Sequence, residues 1–125
     1  MIDHLIDTNV LSQVFRGNIA VKNFVESLDG SVDATVYVEC LQGSKSNQEK
    51  HTIKKYLSRF PIFHHNRETS KKTIALIEKY SNSHGLMLPD AQIAAVCLVR
   101  ELTLVTYNIT DFRFIPEMKL LTPNV

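Results

Sequence analysis

Apolar residues in this chain come in two spacings, and the alternation between them outlines the fold. Short apolar runs mark strands at Leu5-Ile6, Val32 to Ala34, Pro61 to Phe63 and Leu102 to Thr106, with a fifth at Lys119 to Leu121. Between them, apolar positions recur at helical spacing. A helix opening at Asn9 stops at Gly17, and Asn18 caps a second that carries Ile19, Val21, Phe24, Val25 and Leu28. Asp29-Gly30 signals a turn. Thr35 is expected to cap the helix TVYVECLQG, which Gly43 ends. Asn47 to Phe60 and Arg67 to Ser83 follow as helices, the second with Ile74, Ile77 and Tyr80 facing inward. Pro89 suits a first helical turn, so Asp90 to Arg100 forms a small-residue apolar helix. Short apolar strands alternating with helices predict a parallel α/β sheet covered on both faces. Right-handed crossovers then gather the strand-to-helix loops at one sheet edge.

At 125 residues the chain is one domain, residues 1–125, large enough to build a core without disulfides. No apolar run approaches the roughly 20 residues needed to span a bilayer, and the first strand is too short and acidic for a signal peptide. Cys40 and Cys97 lie in apolar helical contexts and are expected to be reduced core thiols of a cytoplasmic protein. The formal net charge is only +1, but it is unevenly spread. Residues 45–79 carry nine Lys/Arg against three acids, and the remainder is net acidic. That pattern suits a protein that draws a polyanion towards an acidic, cation-loaded centre, although lysines solvating two helix faces give the same count.

The chemistry rests on four acids that the topology sends to one edge. Asp7 ends the first strand, Glu39 lies one turn inside the helix after the second, Asp90 opens the helix before the fourth, and Asp111 follows the fourth. Each has a local explanation: N-cap, surface residue, first-turn acid and turn former. Their convergence is harder to explain locally. Clustered carboxylates raise one another's pKa unless a cation neutralises them. Hard oxygen donors with few His or Cys nearby select Mg²⁺ or Mn²⁺ over zinc. Such an ion activates water for in-line displacement at a phosphodiester. Thr8, Asn9, Thr106 and Asn108 stand beside the acids as neutral groups able to orient ligands or water.

LIDTNVL, VECLQG, LPDAQIAA and LVTYNITDFRFIP, in that order, resemble a PIN-domain ribonuclease, and specifically the VapC-like toxins of toxin–antitoxin pairs. The resemblance spans essentially the whole chain. It implies a three-layer fold with strand order 3-2-1-4-5 and a site at the switch between strands one and four. It implies Mg²⁺- or Mn²⁺-dependent endoribonuclease activity leaving a 3′-hydroxyl and a 5′-phosphate, with Asp7, Glu39, Asp90 and Asp111 as catalytic and metal-holding residues. It further implies a homodimer, and an antitoxin partner whose C-terminal segment lies across a helix groove beside the acids. Asn9, Thr8 and Asn108 match polar positions of the family pattern. Gln42 departs from it, standing where an aromatic or basic residue is usual, with an expected effect on packing rather than chemistry.

Lys45 and Arg113 are the expected phosphate contacts, and Phe112 is expected in the core rather than stacked on RNA. His64 and His65 follow the third strand at an outer position and are expected to stand apart from the acids; His4 reads as a packed or edge residue. Two alternatives remain at this point. A catalytically silent RNA- or protein-binding module would have no need of four clustered acids. Another Mg²⁺-dependent phosphohydrolase would want a phosphate-clamping lysine near the end of strand four, where none stands.

Overall fold

Successive residues of a strand point to opposite faces of its sheet, so a run with no exposed member must be covered on both sides. Leu5 and Ile6 in the first strand, and Leu104 and Val105 in the fourth, are fully buried. The computed structural model, which describes residues 1–125, accordingly shows a five-stranded sheet of order β3-β2-β1-β4-β5 with every pairing parallel. The strands are β1 (His4–Ile6), β2 (Gly30–Asp33), β3 (Ile62–Phe63), β4 (Thr103–Val105) and β5 (Lys119–Leu121). Leu5 pairs with Ser31 on one side and Leu104 on the other, so β1 is the central strand. His4 is therefore not an edge residue.

Six helices complete the fold: α1 (Thr8–Phe15), α2 (Ile19–Glu26), α3 (Ala34–Gln42), α4 (Asn47–Leu57), α5 (Arg67–His84) and α6 (Leu88–Arg100). Gly17 and Gly85, at φ of 91° and 69°, follow α1 and α5 in the left-handed region that glycine enters without strain. The chain lays β1, β2 and β3 outward in one direction, then crosses back through α5 and α6 to place β4 and β5 on the other side. The reversal falls between β1 and β4, where ligands bind in open α/β sheets. Cys40 and Cys97 are free and buried, and burial pushes the Cys40 thiol up to about 12.

Several boundaries differ from the sequence expectation. The strongest correction is at the start of α3, which Asp33 caps rather than Thr35: its Oδ1 accepts the Val36 N–H at 2.8 Å. The strand β2 thus runs from Gly30 and ends on a fully buried carboxylate. In α5 the inward line is Thr69, Thr73, Leu76 and Tyr80, while Ile74 is 58% exposed. Threonine can occupy that line because Thr73 Oγ1 donates back to the Thr69 carbonyl at 2.9 Å, which satisfies its hydroxyl inside the helix. Helix α4 ends at Leu57, and Ile19, expected on the buried face of α2, is 63% exposed.

Candidate active site

Asp7 leaves β1 with an extended backbone and caps α1, its Oδ1 accepting the Thr8 N–H at 2.7 Å. Its other oxygen, Oδ2, accepts the Thr106 hydroxyl at 2.8 Å and the Asn9 amide at 3.4 Å. Thr106 Oγ1 in turn accepts from Asn9 Nδ2 at 3.1 Å and from the Asn108 N–H at 3.0 Å, and Asn9 Oδ1 accepts the Tyr107 N–H at 3.1 Å. This network ties the end of β1 to the loop after β4. The N-cap reading of Asp7 accounts for only one of its oxygens; the other joins the network with Thr106 and Asn9. Every donor to Asp7 is neutral. Its pKa is raised, above all by burial, which the hydrogen bonds from Thr106 and Thr8 only partly oppose; the Glu39 and Asp33 charges raise it further.

Glu39 is held towards this point by Thr8, whose hydroxyl donates to Oε1 at 2.7 Å across 31 residues of sequence. Asp90, in the first turn of α6, is half-buried, and its pKa is pushed up to about 6 by burial and then by the charges of Asp7, Asp111 and Glu39. Asp111 sits on a short 3₁₀ turn, Ile109–Asp111, and is exposed at the rim. The four acids therefore act on one another through space, with no lysine or arginine ion-paired to any of them. As the side chains stand, no three close to a ligand shell. The donor set fits a hard divalent cation in chemistry, being all oxygen and short of positive charge.

The chain matches the family profile described as PIN domain over residues 4–116. It belongs to the PIN-domain family. No curated protein matches it. Among solved structures, a toxin–antitoxin complex from Klebsiella pneumoniae contains a chain 29% identical to this PIN domain, with a TM-score of 0.81 and coverage of 97% of this chain and 98% of that one. The DNA-bound VapBC of Salmonella typhimurium shares the fold at TM-score 0.83 and 19% identity, covering 98% of both chains. VapBC2 of Rickettsia felis, bound to a promoter DNA fragment, does so at TM-score 0.78 and 21% identity, covering 95% of this chain and 97% of that one.

Around the acids, this PIN domain places its other expected residues unequally. Lys45 lines a cleft of ≈ 360 Å³ together with Thr8 and Glu39, and Arg16 shares it. Arg16 was missed by sequence reasoning, although Thr8, Ser12, Phe15 and Arg16 follow the i, i+4, i+7, i+8 rule for one helix face. Arg113 is exposed two residues beyond Asp111 and lines none of the larger clefts. Asn108 contributes its backbone N–H, its side chain lying exposed. Phe112 is buried, as expected.

Asp33 is the larger omission. It is fully buried, and its Oδ2 lies 2.8 Å from His65 Nε2. His65 follows β3 at the same sheet edge, so it does not stand apart from the acids. Together with Gln42 and Gln92 it lines a cleft of ≈ 380 Å³ that includes Glu39. Gln42 is exposed there and packs no core. The only signal in the sequence was the Asp immediately before the α3 helix, a preferred N-cap residue.

Proposed function

We propose that this PIN domain is a Mg²⁺- or Mn²⁺-dependent endoribonuclease and the toxin of a toxin–antitoxin pair. One observation carries the reading: four acids from separate elements face one another across the sheet's switch point, hydrogen-bonded only by neutral donors, and Asp90 is pushed up to about 6 by burial first and then by the charges of the other three. Asp7, Glu39, Asp90 and Asp111 would hold the cation. When bound, it supplies Lewis-acid activation of water and neutralises charge developing on a phosphodiester. The chain's own residues prepare that chemistry. Thr106 and Asn9 fix the Asp7 carboxylate, Thr8 fixes Glu39, and Lys45 with Arg16 offers phosphate a positive surface beside them. Glu39, held at one oxygen, keeps its other free to orient the attacking water.

The partner part of the reading rests on a second groove of ≈ 310 Å³ between α1, α2 and α4, lined by Val14, Phe15, Ile19, Ile53 and Tyr56 among others. Phe15 and Ile53 also line the Lys45 cleft, so a segment lying in the groove leads towards Glu39. An antitoxin segment bound there would block the acids, and the neighbour from Klebsiella pneumoniae is a toxin–antitoxin complex. A homodimer in the cytoplasm belongs to the same reading; no helix is long and apolar enough to cross a membrane.

The test is purified protein incubated with total RNA, with Mg²⁺, Mn²⁺ or EDTA, beside Asp90→Ala. Discrete fragments that need the metal and vanish in the variant are expected. Absence of cleavage by folded, antitoxin-free protein under every metal would overturn the nuclease reading in favour of a binding module. A monomer at micromolar concentration, or activity indifferent to the neighbouring gene's product, would remove the partner reading.

A further inference from the structure

We propose that the cleft beside Glu39 reads a nucleobase of single-stranded RNA through Gln92 and His65; this rests on the ribonuclease reading and names how the same site chooses its substrate. The argument starts from hydrogen-bond accounting around Asp33. Its carboxylate is fully buried and can only accept, with Oδ1 taken by the Val36 N–H, so His65 Nε2 must carry the proton directed at Oδ2. That fixes His65 with Nδ1 turned away from the pair. Thr35 Oγ1 lies 3.2 Å from the same His65 nitrogen and donates its own proton to Gln92 Oε1 at 2.9 Å. Gln92 therefore has its oxygen occupied and its amide N–H groups left for the cleft. A buried carboxylate thus sets the direction of two half-buried recognition groups through bonds that link β2, the segment after β3, α3 and α6.

The cleft's composition decides what those groups meet. No lysine or arginine lines it, and Glu39 forms part of its wall, so phosphate is disfavoured. Val38 and Pro89 supply apolar surface beside the polar atoms of Gln92, His65 and Gln42. Apolar surface next to fixed donors and acceptors is what an unstacked base requires on its face and edge. Glu39 lies on both this cleft and the one carrying Lys45 and Arg16. A strand crossing the acids can lay its backbone along the basic side and turn one base into the neutral side.

Two readouts test this. Cleavage products from a randomised single-stranded RNA are sequenced at their ends, and anisotropy of labelled tetranucleotides of each base is measured in EDTA. Wild type is expected to show a base preference at one position next to the cut and the same preference in binding. Gln92→Leu should weaken it by about tenfold through KM rather than kcat, because an unpaired edge is rejected at the binding step. Gln92→Glu, which keeps the acceptor for Thr35 but replaces the outward donor by an acceptor, should change which base is preferred, a result no loss of packing produces. Base preferences identical in all three proteins, or none in wild type by either readout, would overturn the proposal. Base-selective binding without metal-dependent cleavage would keep the subsite and sink the nuclease reading instead.

Discussion

Asp7 and Asp33 occupy equivalent places in neighbouring strands, each ending a buried strand, capping the next helix with Oδ1 and keeping Oδ2 for something else. They differ in what Oδ2 meets. For Asp33 it is His65, a group that can carry positive charge, and the carboxylate is sealed from water. For Asp7 it is a threonine hydroxyl and an amide, with 6% of the residue still exposed and other acids nearby. One aspartate has an ionisable partner built in. The other is held in place by neutral groups and left electrostatically uncompensated, the condition for binding a cation that comes and goes. The same local device, an Asp at a strand-to-helix turn, is sealed into a pair in one strand and, in the proposed function, holds the cation in the next.

The contrast breaks most sharply under substitution. Asp7→Asn should lower cleavage by at least about a hundredfold, since it removes charge from the proposed cation site, while the melting temperature holds or rises because burial and like-charge repulsion are relieved. Asp33→Ala should do the reverse, destabilising the fold by about 2–3 kcal/mol in urea titrations because it removes the α3 cap and leaves the Val36 and His65 N–H groups without their acceptor. Equal loss of stability in both variants would erase the distinction. Thr106→Val should leave the protein folded but weaken Mn²⁺ binding by roughly 10–100-fold, measured by calorimetry, because the Asp7 carboxylate loses its orienting hydroxyl.

A smaller effect lies in pH. Asp90 titrates at about 6 in the fold against 3.8 for an ordinary aspartate, so between those values the folded protein holds a proton that the unfolded chain releases. Metal-free stability should therefore fall as pH rises from about 4 to 6 and level off above, a slope that Asp90→Asn flattens. Mn²⁺ should raise the melting temperature at about pH 7.5 and progressively less below about pH 6, where protons compete for the same carboxylate. Stabilisation by Mn²⁺ that is undiminished at low pH would take Asp90 out of the cation site.

Asp7 and Asp111 could be placed at one edge from the sequence because strand ends in a parallel sheet share a direction, and Glu39 because helix α3 starts there. Arg16 was overlooked although its helical spacing from Thr8 was available. His65 and Gln92 were not legible, since nothing local says that β3 lies beside β2 with its end turned to α6. Ile74 misled because hydrophobicity alone ranks isoleucine above threonine, whereas a threonine that bonds back to its own helix can be buried.

What the sequence determined by itself was the alternation of strands and helices, hence the parallel sheet, and the four acids at its loop-bearing edge; these follow from local periodicity and chain direction. Only the tertiary structure decided which acid is paired with a histidine and which is held by neutral groups alone. Beyond their local caps, these carboxylates take hydrogen-bond partners 31 to 99 positions away, as with Thr8 and Glu39, His65 and Asp33, and Thr106 and Asp7. Burial makes those distant bonds count, because a carboxylate removed from water must find its donors in the protein.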